Sequence, residues 1–486
     1  MSYGGLDVGT TSVKFAIYTE DGTLLSLSQS VYGNNRQSNP NRISGSAVWK
    51  AVKHVISDAV QKCTGRDPLK AFSISSFGEA AIPIDRDGNE LGNTFLYTAP
   101  EGKEELSWIL ERIDAGKVQQ ITGIKPSVIF PLVRINWCKN HESYFSKVWK
   151  FLQFEDYVIY RMTGETIISL SLASRTMALD LEKGEWSDYV LDGCEVDPDL
   201  FSTPVPSGTF AGTVHAELAA ELGLPIGVKV YTGGHDQMCG MIGAGAAAPH
   251  KAANASGTVE CISAVLPEGF SKQVLLQNNT YVSAYTDPGS FFTFVGTPAG
   301  CAILDWYMSL FLGKERKTQD FKSIEANCSG HPSPVQVIPF MAGRGVPNRD
   351  INATGTFKGL RLTTTSSEIF QAIMESLAFE MRLVIDIYAQ AGIPIDNIYA
   401  TGGGAGSDLW MQLKADIYQR PVARMRSIQL VAFGCAMIAG VADGAFSNLN
   451  DAVLESVKFD RVFYPDGANA RLFEEKYAFY KEMRNF

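Results

Sequence analysis

The residues best suited to chemistry lie near the middle of the chain, in Tyr231-Thr-Gly-Gly-His235-Asp236-Gln237-Met-Cys-Gly240. Val228, Val230 and Tyr231 read as the end of an apolar strand, and Gly233 and Gly234 permit a turn that other residues resist. A carboxylate and an amide follow at once. An acid presented at a strand end can take a proton from a hydroxyl, which is the work of a general base. The plain alternative is a cap, because Asp commonly precedes a helix and residues 237–246 form a small-residue helical stretch.

Other stretches offer complementary groups. In Asp7-Val8-Gly9-Thr10-Thr11-Ser12-Val13-Lys14, Gly9 allows a tight hairpin, the threonines offer hydroxyls and amides, Lys14 a cation, and Asp7 can hold Mg²⁺ through water. That set suits the phosphates of a nucleotide, although an ordinary Gly-Thr hairpin has the same composition. No helix follows it, so it is not a Walker loop. Glu79, in Phe77-Gly78-Glu79-Ala80, lies just beyond a strand at 72–76; it is either a ligand contact or a solvated loop carboxylate. Asn254-Ala-Ser-Gly257-Thr258-Val259 echoes Gly9-Thr10, as two related halves would. Thr401-Gly402-Gly403-Gly404-Ala405-Gly406-Ser407 follows a strand at 398–400 and precedes a helix. Its free amides could line a nucleotide, or its glycines could simply turn the chain.

These groups need a scaffold. At 486 residues the chain exceeds what one core sustains, so two domains are expected, divided at the Ala246-Ala-Ala-Pro249-His250 linker into 1–249 and 250–486. Alternation predicts strands at 3–8, 12–18 and 23–30, and a helix at 46–62; residues 101–165 read as mainly helical. Thr365-Ser-Ser-Glu368 is a capping box ahead of a long helix, 431–442 is a helix of small residues, and 469–486 is an amphipathic end. The formal charge of −10 and the absence of a basic face argue against nucleic acid as a partner. No run of about 18 apolar residues argues for a membrane span. Eight scattered cysteines without C-x-x-C spacing suggest neither zinc nor disulfides, and fit a reducing, cytoplasmic setting.

Taken in order, these motifs resemble the FGGY family of carbohydrate kinases over nearly the whole chain. The matches are the Asp7-Val-Gly-Thr-Thr start, Asp156-Tyr157 with Met162-Thr163-Gly164-Glu165, and Gly233-Gly-His-Asp236-Gln237. They continue with Ser256-Gly257-Thr258, Gly402-Gly-Gly-Ala405 with Trp410, Gln412 and Asp416, and Gly355-Thr-Phe-Lys-Gly359-Leu360 followed by Glu368-Ile-Phe-Gln-Ala372-Ile-Met-Glu375. The resemblance implies an α/β protein of two actin-like (ribonuclease H-like) ATPase domains around a cleft, the first mainly for sugar and the second mainly for ATP. It implies Asp236 as the catalytic base, with Glu79, Tyr97 and Gln237 at the substrate. It implies Thr10, Thr11, Lys14, Gly257, Thr258, Gly300, Gly403, Gly404 and Ala405 at ATP, and Mg²⁺ near Asp7 and Asp236. Such a transfer needs positioning and charge neutralisation more than covalent chemistry.

Departures bear on the substrate. Where many members carry Trp-x-Asp-x-Arg, this chain has Tyr97-Thr98-Ala99-Pro100-Glu101, exchanging a bidentate cation for an anion. Glycerol kinases carry Arg before the Glu and xylulokinases carry His, whereas this chain has Gly78-Glu79; the glycerol-kinase Tyr is Ile129. Arg134 replaces the usual Lys, and Gln419-Arg420-Pro421 lacks the usual Gly. The expected activity is transfer of the γ-phosphoryl group of ATP to a ketose, with a pentulose such as xylulose as the default. A polyol or cyclitol is the runner-up, then a catalytically weak sugar- or nucleotide-binding relative. A chaperone-like actin-family ATPase is disfavoured by Asp236-Gln237 and the C-terminal signature. The sequence sets no oligomeric state; a homodimer is the candidate assembly.

Overall fold

The structure, a computed structural model, describes residues 2–32, 40–63, 68–313, 318–426 and 429–484. Its longer strands are β1 (Ser2–Val8), β2 (Ser12–Thr19), β3 (Leu24–Val31), β4 (Leu69–Ser76), β5 (Phe210–Thr213), β6 (Lys229–His235), β7 (His250–Ser256), β8 (Glu260–Val265), β9 (Phe291–Gly296), β10 (Ile395–Thr401), β11 (Val422–Met425) and β12 (Phe459–Phe463). The helices that bear on the site are α1 (Gly45–Lys62), α2 (Phe154–Thr163), α3 (Asp236–Gly243), α4 (Cys301–Leu312), α5 (Ser366–Gln390), α6 (Asp408–Tyr418) and α7 (Leu430–Ala442).

Alternating apolar residues build two sheets of the same design. The first has six strands in the order β5-β6-β4-β1-β2-β3. Within it β1 pairs antiparallel with β2 and parallel with β4, and β4 is parallel to β6. In the second sheet, of seven strands, the six longer ones run β9-β8-β7-β10-β11-β12. There β7 pairs antiparallel with β8 and parallel with β10, and β10 is parallel to β11. The Gly-Thr echo in the sequence is therefore a topological repeat, with the β7–β8 hairpin standing where β1–β2 stands. These are two actin-like α/β domains.

The chain divides into two compact units. The first holds 1–247, 281–292 and 429–457; the second holds 248–280, 293–428 and 458–486. A single cut at 249/250 treats each half as continuous, and the contacts instead return two later segments to the first unit. The reason is visible in α7, which lies against β1 and α3 with backbone touching backbone. A Cβ on Gly5 would fall 1.7 Å from the Ala432 carbonyl oxygen, one on Gly434 1.9 Å from that of Cys239, and one on Gly243 2.0 Å from that of Leu430. Only glycine allows this approach.

In the second unit α5 begins with the expected capping box: Thr365 Oγ1 accepts the Glu368 amide at 3.2 Å and Glu368 Oε2 accepts the Thr365 amide at 2.7 Å. Its Phe370, Ile373, Met374 and Leu377 are buried while Ile369 is half-buried. The stretch 101–165 is mainly helical, with a short strand at Lys150–Leu152. The C-terminal helix runs Gly467–Arg484, and 485–486 lie outside the described residues. No helix among the described residues is long and apolar enough to cross a membrane.

Candidate active site

Three parallel strands of the first unit end side by side. Asp7 on β1 is in register with Ser75 on β4, and Ser75 with Gly234 on β6. Carboxyl ends of parallel strands are where open α/β sheets present ligand-binding groups. Beyond them come Phe77-Gly78-Glu79 from β4 and Asp236 from β6, so the sheet itself gathers Asp7, Glu79 and Asp236.

The glycine pair aims the last of these. β6 bulges between Thr232 and Gly234, a device that re-aims the strand's exit. A Cβ on Gly233 would sit 2.3 Å from the Ile74 carbonyl oxygen, and Gly234 has φ +154 with Ser171 Oγ 2.6 Å from where its Cβ would be. The amides of this turn are held from α2 and its neighbours: Gly233 donates to Glu155 Oε1 at 2.9 Å and His235 to Ser171 Oγ at 3.0 Å. Burial pushes the Glu155 carboxyl up to about 7, although the Ser169 and Gly233 amides oppose the rise.

Asp236 is the first residue of α3, and the cap is His235, whose Nδ1 accepts the Gln237 amide at 3.3 Å. Asp236 is therefore not the capping residue, although its carboxyl still meets the Gln237 amide and lies 3.2 Å from His235 Nδ1. Burial, with the Arg175 charge second, holds His235 well below its ordinary value, which favours the neutral imidazole whose Nδ1 can accept. Asp236 itself is pushed up to about 7, first by burial and then by the charges of Asp7 and Glu79. A carboxyl tuned to that range can both take and release a proton near neutrality. Asp7 is raised to about 6 by burial, against Lys14, whose Nζ lies 3.8 Å away on the paired strand.

The Gly9 hairpin is pinned by Tyr32, whose amide donates to Thr11 and whose hydroxyl donates to the Gly9 carbonyl. Thr10 stays half-buried and Thr11 exposed. Gln237 follows in the first turn of α3, half-buried. Tyr97 is on an exposed loop, 53% exposed; among the described residues it shares no hydrogen bond or ion pair with the Asp236 group. On the same loop Glu101 stands 3.6 Å from Arg42 and 3.9 Å from Arg134, so two arginines offset the anion that replaces the family's cation.

The second unit gathers its own set at the ends of β7 and β10. The amide of Gly257 donates to Val259 at 3.0 Å, matching Gly9 to Ser12 at 3.0 Å. Gly300 donates to Thr258 at 2.8 Å and Cys301 to Gly257 at 2.9 Å, which docks the start of α4 on the Gly257-Thr258 turn. Gly402 (φ +82) and Gly404 crowd Ser256: a Cβ on either would come within 2.6 Å and 2.8 Å of it. Gly257, Thr258, Gly300 and the 403–405 loop thus converge. Beneath them the fully buried Lys414 pairs with Glu260 and donates to Asn254 Oδ1 at 2.8 Å and Ser256 Oγ at 2.5 Å.

Sequence reasoning missed Arg175, Glu155 and Lys414. Arg175 binds a residue 96 positions away, and Lys414 one 154 away. No local spacing announces such partners. Glu155 sat beside the matched Asp156, which the structure buries against the Ser202 hydroxyl at 2.6 Å.

Comparison with known proteins identifies the family and the fold. Residues 2–243 match the N-terminal domain of the FGGY family of carbohydrate kinases, and residues 252–442 match its C-terminal domain. A xylulose kinase of Bacillus subtilis is 27% identical over 487 residues, covering 99% of this chain and 96% of that protein. Among solved structures, a ligand-bound xylulose kinase from Lactobacillus acidophilus superposes with a TM-score of 0.90 at 22% identity, covering 100% of this chain and 98% of the other. A gluconate kinase from the same organism gives 0.89 at 23%, covering 100% and 97%. The two structures show the fold.

Proposed function

Because the chain belongs to the FGGY family of carbohydrate kinases and is an ATP-dependent sugar kinase, we propose that it phosphorylates a pentulose such as xylulose, with Asp236 as the base. The observation that carries this reading is a carboxyl at a strand end, at the first position of a helix that His235 caps, buried beside Asp7 and Glu79 and raised to about 7. The full-length relationship to a xylulose kinase supports the pentulose. A polyol or cyclitol acceptor is not favoured.

In the proposed reaction Asp236 takes the proton of the acceptor hydroxyl as that oxygen bonds to the γ-phosphorus and the bond to ADP breaks. Glu79 and Gln237 orient the acceptor, and Tyr97 borders it. Thr10, Thr11 and Lys14 meet the phosphates, while Gly257, Thr258, Gly300, Gly403, Gly404 and Ala405 line the nucleotide. Asp7 and Asp236 suit Mg²⁺, a hard ion that takes one or two carboxylates and leaves its other positions to phosphate and water. No larger cluster of metal-binding side chains occurs among the described residues. Bound there, Mg²⁺ would neutralise phosphate charge. None of the eight cysteines forms a disulfide, which supports a cytoplasmic setting.

ADP release with Mg-ATP over a panel of ketoses, polyols and cyclitols tests the assignment. D-Xylulose or another pentulose should raise turnover well above background. Stimulation confined to a polyol or cyclitol would overturn the pentulose, and stimulation by none would overturn the kinase reading.

A further inference from the structure

Glu79 stands in an uncommon backbone conformation. Its φ is +63, a region that residues with side chains occupy rarely and that clusters at functional sites when surrounding contacts impose it. The contacts here come from Arg175, on the tight turn Ser174–Thr176. Arg175 Nε donates to Glu79 Oε1 at 2.7 Å and its Nη2 reaches the same oxygen at 2.5 Å. The guanidinium lies 5.3 Å from the ring centre of Phe130 and 5.0 Å from that of Tyr281, and the side chain is 3% exposed. Two rings and a carboxylate therefore fix a planar cation that a lysine could not imitate.

The residue before Glu79 leaves room for this. A Cβ on Gly78 would come 3.1 Å from Arg175 Cβ and Cγ and 3.1 Å from His235 Cδ2. Arg175 and the residue that caps α3 thus flank the space that a side chain at 78 would enter. The ends of β4 and β6 and the 174–176 turn meet at one point. Arg175 is also close enough for its charge to favour ionisation of Asp236, while Glu79 opposes it.

We propose that Arg175 is a positioning residue for acceptor recognition, holding the Glu79 carboxylate in its left-handed site beside Asp236 so that Glu79 can accept hydrogen bonds from acceptor hydroxyls. The proposal rests on the reading of Glu79 as an acceptor contact. The single engaged oxygen is Oε1, which leaves Oε2 for the acceptor. Arg175 acts through Glu79, and so the two should behave as one unit.

The test compares Arg175→Ala, Arg175→Lys, Glu79→Gln and the double variant Arg175→Ala/Glu79→Gln on the acceptor that the wild type uses best. Arg175→Ala should raise KM for the acceptor about tenfold or more with KM for ATP within twofold, and Arg175→Lys should recover part of the loss. Glu79→Gln should cause a similar loss, and the double variant should be little worse than either single one. Multiplying losses, an unchanged acceptor KM in Arg175→Ala, or equal rises in both KM values would overturn the proposal. If Arg175→Ala fails to fold, Arg175→Lys decides: an acceptor KM within twofold of wild type overturns it. A loss in Glu79→Gln alone refutes the Arg175 role and leaves the kinase standing, whereas a wild type that turns over no acceptor refutes both.

Discussion

Replacing Asp236 by Asn removes the proton acceptor and, with it, one of the two carboxylates that suit Mg²⁺. The two side chains share a shape, and α3 keeps its cap because His235 supplies it. Loss of a positioned base should lower kcat about 10²–10⁴-fold. Stability should move the other way. In the folded chain burial, then Asp7 and Glu79, carry the Asp236 carboxyl from 3.8 to about 7. Across that window the folded protein holds a proton that the unfolded chain has released, so stability falls as pH rises and the loss is complete above it. At about 1.4 kcal/mol per pH unit the full loss is at most about 4 kcal/mol. The side chain is 26% exposed, and solvent screening brings the figure down to about 1–3 kcal/mol. Asp236→Asn escapes this loss. Melting followed in EDTA at pH 8 should place the variant several °C above the wild type, with the gap closing toward pH 4, while coupled ADP release at pH 8 reports the loss of turnover. A variant that melts at or below the wild type at pH 8, or a gap independent of pH, would refute the electrostatic account. Turnover within tenfold of wild type would remove Asp236 as the base.

Thr258→Val should raise KM for ATP more than KM for sugar, because Thr258 belongs to the turn that docks α4; steady-state kinetics showing the reverse order would count against that loop as a nucleotide contact. Lys414→Met strands a buried Glu260 without its cation and should cost about 3–5 kcal/mol in urea unfolding; adding Glu260→Gln should restore much of it, and no restoration would mean the pair is not the cause. Gly434→Val puts a side chain where its Cβ would lie 1.9 Å from the Cys239 carbonyl oxygen, so α7 must move off α3 at about 3 kcal/mol; a melting temperature within about a degree of wild type would contradict that packing. Thr365→Ala breaks the capping box of α5 and should cost about 1 kcal/mol with kcat unchanged, read from the urea midpoint beside an activity assay.

Much of the first site could be read from residue order. The Gly233-Gly234 turn, the carboxylate after it and the Asp7 hairpin are local patterns, and local conformational preference is what such patterns encode. So is the Thr365-Glu368 capping box, which formed with both of its hydrogen bonds. The repeat of Gly9-Thr10 at Gly257-Thr258 was legible too, because each hairpin depends on its own few residues. What pairing across the chain decides was hidden. That His235 rather than Asp236 caps α3 depended on an imidazole kept neutral by burial and by Arg175. The return of 429–457 to the first unit depended on glycines matched to carbonyls hundreds of residues away, and the offset of Glu101 depended on Arg42 and Arg134. The sequence by itself determined the elements, the motifs and the family, since backbone propensity and hydrophobic period act over a few residues. The tertiary structure alone decided which carboxyls, Asp7, Glu155 and Asp236 among them, carry a raised affinity for a proton and that Arg175 stands beside the last, because burial and Coulomb interaction depend on distance in space.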